Sequence, residues 1–229
     1  TLNTHQQWLC RKLTDLGYLV TRQVAVPDSG QDIQQAVRES LSRADLVIVT
    51  GGLGPTSDDI TRELIAELLG KPLHEDAGIV TELTQFFARR NRPMPERNLV
   101  QAQVPEGAIV LPNPNGTAPG LAMKVEPNMF RPDGQACWLI MLPGPPRELR
   151  PMFKDAVVPL LHRELRPEIF VCRTLRTSGL GESLLQEQIA GPLQPLVSAG
   201  LELGYCARPG EVDVRLAARG ANAEGLVAE

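Results

Sequence analysis

Three short segments of this chain carry residues that could do chemistry, and the first is the most informative. Residues 51–59 read Gly-Gly-Leu-Gly-Pro-Thr-Ser-Asp-Asp, between an aliphatic run at 46–49 and a helix-forming sequence at 61–69. A strand, a glycine-rich turn and a helix in this order direct backbone N–H groups and a helix N-terminus at an anion. Asp58 and Asp59 add carboxylate oxygens, the ligands that Mg²⁺ prefers. The pattern predicts a site for a phosphate and a divalent cation.

The first segment lacks two common phosphate-binding sequences. No Lys-Ser/Thr pair follows its glycines, as a Walker A loop requires, and Ser57 stands where the dinucleotide fingerprint has its third glycine. Two simpler explanations stay open, because glycines provide the positive φ of a tight turn and Asp58 can cap the helix. The residues expected to contact the anion are Gly51, Gly52, Gly54, Pro55 and Thr56.

Two further segments, at 112–120 and 143–148, supply polar groups after other predicted strands. The first suits phosphate or carbonyl contacts, although a proline-stiffened turn explains it as well. The second opens a helix, where Glu148 is either an acid stabilised by the helix dipole or a group that acts on substrate or metal. The residues expected to contact a ligand here are Asn115, Gly116, Thr117, Gly144 and Pro145.

The elements that must position these segments alternate between helix and strand. Periodicity predicts a helix at 4–16, a strand at 18–26, a helix at 30–43 and a strand at 46–50. This order predicts a three-layer α/β/α domain with a mostly parallel sheet, and ligands beyond the carboxyl ends of its strands. Strands at 121–125 and 137–142 flank a turn-rich insertion and are expected to be antiparallel.

The pattern changes after His162. A strand, a helix and two further strands follow, with Pro192 and Pro195 expected in a linker between the helix and those strands. The predicted domains are therefore 1–162 and a smaller α/β domain at 163–229. The chain starts with Thr1 rather than Met, so we expect residues upstream of it to be missing.

Composition argues against several classes of partner. The net charge of −4 and the pI near 5.5 disfavour nucleic-acid binding. No apolar run approaches the roughly 18 residues of a membrane span. The four cysteines have no zinc-type spacing, and we interpret them as reduced thiols of a cytoplasmic protein.

The segments at 51–61, 113–120 and 142–146 together resemble the CinA (competence/damage-inducible protein A) family, whose members contain a molybdopterin-binding domain of the MoaB/Mog type. The resemblance extends from Asn3-Thr4-His5 to the second domain, where 179–183 and 211–216 also fit. It implies a molybdopterin-binding-like domain followed by a smaller α/β domain. The family's usual first strand is absent from the residues supplied.

The resemblance also implies an activity. CinA-like proteins are associated with metal-dependent hydrolysis of nucleotide pyrophosphates such as ADP-ribose, which yields AMP and ribose 5-phosphate. Asp58 and Asp59 would then hold Mg²⁺ or a similar cation at the reacting phosphates, and Glu148 would orient the water. The alternative is a molybdopterin- or nucleotide-binding module without hydrolase activity. A homo-oligomer is expected by the same resemblance.

Overall fold

The computed structural model describes residues 4–228 and divides them into two compact units. One unit spans Val24–Glu164, and the other joins the described residues up to Gln23 with those from Leu165 onward. The first helix, α1 (Thr4–Asp15), is therefore grouped with the C-terminal residues. The division after residue 162 stays a prediction. Asn3, with which the resemblance begins, lies outside the described residues.

The larger unit contains a four-stranded mixed sheet and a two-stranded antiparallel sheet. In chain order its elements are α2 (Gly30–Leu41), β1 (Leu46–Thr50), α3 (Thr61–Leu68), β2 (Leu73–Glu75), α4 (Ala77–Ala88), a 3₁₀ helix (Glu96–Ala102), β3 (Gln103–Pro105), β4 (Ile109–Leu111), β5 (Gly120–Val125), β6 (Cys137–Leu142), α5 (Pro146–Met152), a π-helical turn (Phe153–Val157) and α6 (Val158–Glu164).

The four-stranded sheet has the order β1-β6-β5-β4. β1 and β6 run parallel, with Leu46 opposite Trp138 and Thr50 opposite Leu142. β5 is antiparallel to both β6 and β4, which confirms the orientation predicted for the strands that flank the insertion. Because β1 and β6 are parallel, the segments that follow them leave the sheet at the same edge.

Helices cover both faces of this sheet. On one face, Leu121 of β5 packs in an apolar cluster with Leu41 of α2 and Ile65 of α3. The neighbouring Gly120 points to the opposite face, where Met152 of α5 lies against it. All six residues of β6 are buried, as expected of a strand covered on both sides. The predicted α/β class is confirmed.

A π-helical turn interrupts the helical segment between α5 and α6. The segment begins with Pro145 as the N-cap and Pro146 in its first turn, as predicted. Within the turn, the Val158 N–H donates to Phe153 O, one residue further back than in an α-helix. Pro159 follows directly and has no N–H to donate, and wide turns commonly accommodate such a residue inside a helix.

The smaller unit contains a three-stranded antiparallel sheet of order β7-β9-β8. Its further elements are β7 (Phe170–Ser178), α7 (Glu182–Ser198), β8 (Glu202–Arg208), β9 (Glu211–Arg219) and α8 (Ala223–Ala228). The predicted strand–helix–strand–strand order is confirmed. The prediction of a linker at Pro192 and Pro195 is wrong, because α7 continues through both prolines. Both are exposed, so carbonyl groups that lose a helical partner can bond to water.

The prediction of a strand at 18–26 is also wrong. Residues 18–26 belong to no helix or strand, and none of the described strand pairings includes them. Alternation of side chains shows which face would be buried, but a strand forms only where a neighbouring strand accepts its backbone hydrogen bonds. Separately, none of the helices within residues 4–228 has both the length and the apolar character needed to cross a bilayer.

Candidate functional site

The glycine loop, residues 51–59, begins where β1 ends. The Gly51 N–H donates to Leu142 O at 2.9 Å, which extends the pairing between β1 and β6 by one residue. Gly51 and Gly52 have φ values of 94° and 68°, in the left-handed region that favours glycine. A side chain at Gly52 would overlap the Thr61 side chain at the start of α3. The first two glycines are therefore required by the shape of the turn.

Asp59 closes the glycine loop on itself. Its Oδ2 accepts hydrogen bonds from the Thr56 amide at 3.0 Å and from the Thr56 hydroxyl at 2.5 Å. Its own amide donates to Thr56 O at 3.0 Å. Gly54 lies directly against the Asp59 carboxylate, where a side chain would not fit. The N-cap of α3 is Ile60, without a side-chain cap, so neither Asp58 nor Asp59 caps this helix.

Asp58 has a different environment from its neighbour. Its side chain is exposed to solvent. The Thr56 side chain, the Asp58 backbone amide and the positive charge of Arg97 lower the pKa of the Asp58 carboxyl below its usual value. Because the Thr56 hydroxyl has one proton, it serves the Asp58 or the Asp59 carboxylate, one at a time. Asp58 is therefore an ionised carboxylate at the loop surface.

The second segment, residues 112–120, is attached to the start of α5 through Asn113. Asn113 Nδ2 donates to Glu148 Oε2 at 2.9 Å and to Ala118 O at 2.7 Å. Asn113 Oδ1 accepts from the Asn115 amide at 3.1 Å, which forms a tight local turn. Gly116 lies against the Glu148 carboxylate, with no room for a side chain. Glu148 is 7% exposed, so its carboxylate is a buried anchor for this segment.

The third segment, residues 143–148, lies beside the glycine loop. A Cβ atom placed on Gly144 would be 3.7 Å from the Gly51 Cα atom, an ordinary contact distance. The structure thus brings Gly51 next to Gly144, and Gly116 next to Glu148. Among the described contacts, none joins Asp58 or Asp59 to Glu148. The three predicted segments therefore occupy one edge of the sheet, with their acids in separate places.

Three polar side chains near these segments were not predicted. Asn113 and Arg97 make the contacts already described, and Arg97 Nε also donates to Pro55 O at 3.0 Å. Arg62 is 1% exposed, and its Nη2 lies 2.5 Å from Glu63 Oε1. The sequence held a signal only for Asn113, since Asn-Pro-Asn-Gly is a turn sequence in which asparagine side chains bond to the backbone. Arg62 and Arg97 stand in helical segments that resemble ordinary solvated faces.

The donors available for a metal ion are few. Within residues 4–228, no group of three or more His, Cys, Asp or Glu side chains is close enough to hold a metal ion. Asp58 offers an exposed carboxylate, and Asp59 offers Oδ1, because its Oδ2 accepts from Thr56. Mg²⁺ is commonly held by one or two carboxylates together with waters and substrate phosphates. The residues present fit a cation shared with a phosphorylated ligand, rather than a cage made by the protein alone.

The fold and the loops define a class of protein before any comparison. It is an α/β domain with a glycine-rich segment after β1 and an asparagine-rich segment after β4, each next to the segment that opens α5, and the chain also contains a small α/β unit. Ligands of such sheets bind beyond the carboxyl ends of the strands.

Family models identify both parts of the chain. Residues 1–163 match the model described as "Probable molybdopterin binding domain", and residues 172–228 match the damage-inducible protein CinA KH domain. The chain therefore belongs to the CinA family of molybdopterin-binding-domain proteins, which confirms the resemblance.

Individual relatives agree with the family models. A CinA-like protein of Akkermansia muciniphila is 48% identical over 94% of this chain and 50% of its own length. A CinA-like protein of Nostoc sp. is 39% identical over 99% of this chain and 52% of its own length. The chain thus spans about half the length of these curated relatives. The crystal structure of CinA from Thermoplasma acidophilum, titled as a protein of unknown function, has a TM-score of 0.58 and 31% identity, over 72% of this chain and 88% of that one.

Proposed function

We propose that this chain binds a nucleotide pyrophosphate such as ADP-ribose at the three segments and hydrolyses it to AMP and ribose 5-phosphate with a divalent cation. The observation that carries the proposal is the approach of Gly144 to Gly51 at the edge where β1 and β6 end. This approach places the amides and the two carboxylates of the glycine loop beside the third segment, which supports binding of a ligand with several phosphates.

The glycine loop would bind the phosphate oxygens. The amides of Gly52 and Gly54 follow the end of β1, and the Thr56–Asp59 bonds, which use the Thr56 amide, hold the loop in place without the ligand. Donors that are already ordered cost little reorganisation as charge develops on a phosphate. The second segment would then position the nucleotide through Asn115 and Thr117.

A divalent cation would be held by Asp58 and by Oδ1 of Asp59. When bound, it would neutralise phosphate charge and lower the pKa of a bound water. Glu148 was predicted to orient the water, and that role stays a prediction. The contacts support a positioning role instead, because Glu148 is buried and its Oε2 accepts from Asn113. It would hold the second segment against α5.

The test follows AMP release from ADP-ribose with and without Mg²⁺, using the 229-residue chain. We expect turnover that requires Mg²⁺, and a loss of at least about 100-fold in Asp58→Asn and Asp59→Asn, because the cation loses a charged ligand. Asp28→Asn is the matched control, an exposed aspartate of the same unit. No turnover in the unchanged protein would reject hydrolysis, and full turnover in both site variants would reject Asp58 and Asp59 as ligands of the cation.

A second function is supported by the match of residues 1–163 to a molybdopterin-binding model. In this version the same amides bind the phosphate of a pterin, and no bond is hydrolysed. Calorimetry with molybdopterin and with ADP-ribose separates the two functions. Tighter binding of the pterin, together with no AMP release, would favour the binding module.

A further inference from the structure

Arg97 reaches the glycine loop from a distant part of the chain. Its Nε donates to Pro55 O at 3.0 Å across 42 residues of sequence. The residue itself is exposed, so this hydrogen bond does not bury the guanidinium group. The contact therefore places an exposed positive charge directly over the loop that carries Asp58 and Asp59.

The 3₁₀ helix that carries Arg97 is firmly anchored. The next residue, Asn98, is 6% exposed and its Nδ2 donates to Gln101 Oε1 at 3.0 Å. Gln101 is 1% exposed, and Ala102 packs in the apolar cluster formed by Ile79 and Leu83 of α4. Buried neighbours on the same short helix fix its backbone. Arg97 is thus held beside the loop before any ligand arrives.

The negative charge of the loop favours a positively charged partner such as Arg97. Asp58 and Asp59 give the loop two negative charges, which would repel a phosphate bound by the nearby amides. Arg97 is the cation whose charge acts on Asp58 in this structure. Its positive charge offsets part of that repulsion without any metal ion.

The geometry leaves most of the guanidinium group available. Arginine has five N–H donors in a planar fork, and Nε uses one of them on Pro55 O. Among residues 4–228, no hydrogen bond from its two Nη atoms is described. The fork formed by these atoms matches two oxygens of a phosphate group, which lysine cannot do.

We propose that Arg97 binds a phosphate group of the ligand held by the glycine loop, as a further binding residue of the proposed function on which this inference rests. Pro55 O orients the guanidinium group through Nε, and the Nη atoms donate to the phosphate. Sequence patterns did not identify this residue, because its partner lies on another element.

The test is calorimetry of inorganic pyrophosphate with the 229-residue chain at low and raised salt. Arg97→Ala should weaken pyrophosphate binding by roughly 10- to 100-fold, the usual effect of a lost charge-assisted bond, and should reduce the salt dependence of the remaining affinity. Arg97→Lys should fall in between, because it keeps the charge without the fork. Arg92→Ala, an exposed arginine just before the same helix, should bind like the unchanged protein.

Three results would overturn the inference: no pyrophosphate binding by the unchanged protein, undiminished binding by Arg97→Ala, or an equal loss in Arg97→Ala and Arg92→Ala. Failure of the proposed hydrolysis looks different. It would show as no AMP release from ADP-ribose while pyrophosphate binding still depends on Arg97. Circular dichroism confirms that each variant is folded, which is expected because the Arg97 side chain is exposed.

Discussion

Replacing Gly116 with alanine should detach the second segment from α5. A Cβ atom at Gly116 would overlap the Glu148 carboxylate and lie 2.8 Å from Asn113 Nδ2. Gly116 is not among the residues with positive φ, so the methyl group itself strains no backbone. The Glu148 side chain must therefore move, and it cannot move without losing the hydrogen bond from Asn113.

The size of the effect follows from which contact is lost. The overlapped atoms form the end of a flexible side chain, so the penalty should lie below that of overpacking a rigid core. The main loss is a hydrogen bond to a charged and buried group, which contributes about 1.5–3 kcal/mol. We expect the free energy of unfolding of Gly116→Ala to fall by about 2 kcal/mol.

Urea unfolding followed by circular dichroism measures this change, and a double-mutant cycle with Glu148→Ala assigns its origin. Without the Glu148 carboxylate, Gly116→Ala should cost less than about 0.5 kcal/mol, since the overlap is gone. Gly144→Ala is the matched control, because its Cβ atom would meet Gly51 at an ordinary 3.7 Å. If Gly116→Ala costs as much with Glu148 removed as with it present, this contact does not hold the segment.

Three further changes test other parts of the larger unit, each by urea unfolding. Gly52→Ala should lower the free energy of unfolding by at least about 2 kcal/mol, because its positive φ disfavours a side chain that would also overlap Thr61; an unchanged midpoint would contradict this turn geometry. Arg62→Ala should cost about 2–3 kcal/mol, somewhat less than a fully buried pair, since 37% of the Glu63 side chain is exposed; a cost below 1 kcal/mol would mean that the pair contributes little. Burial and, to a lesser extent, the charge of Asp45 raise the pKa of the Cys137 thiol from 9.0 to about 12. Between these pH values the unfolded chain loses a proton that the native chain keeps, so the free energy of unfolding should fall by up to about 1.4 kcal/mol per pH unit, and Cys137→Ala should remove this part of the slope.

Much of the larger unit could be predicted because burial leaves a clear sequence pattern. β6 is apolar at every position and is buried on both faces, and α2 places Ile33, Val37 and Leu41 on one buried face. Turn chemistry was also informative, since the first two glycines of the loop have the positive φ that their position suggested. These signals are local, and each acts within one element.

The errors have a common physical cause in non-local partners. Residues 18–26 alternate like a strand, but whether a strand forms depends on a neighbour that the pattern does not reveal. Pro192 and Pro195 looked like a break, but their exposure lets water replace the lost helical bonds. In both cases the residues have the local conformational preference that was predicted, but neighbouring strands or solvent determine the secondary structure that forms.

The three segments of the candidate site could be recognised in the sequence, but the contacts that connect them could not. Each of the three segments was predicted to follow a strand, and the approach of Gly144 to Gly51 brings two of them together. The bond between Asn113 and Glu148 spans 35 residues, and the bond between Arg97 and Pro55 spans 42. Spacing in the sequence carries no information about such pairs, because the fold alone brings them together.

The π-helical turn sets how α5 and α6, the two ends of its helical segment, are rotated relative to each other about the helix axis. Each residue rotates an α-helix by about 100° about its axis. The extra residue in the π-helical turn therefore sets the rotation of α5 relative to α6, in which Leu160 and Leu161 are buried. Deleting one residue within 153–157 would rotate α5 and α6 by about 100° relative to each other, so either Leu149 and Met152 of α5 or Leu160 and Leu161 of α6 would leave their buried positions. The position of Glu148 relative to Asn113 thus depends partly on a helix irregularity outside the three segments.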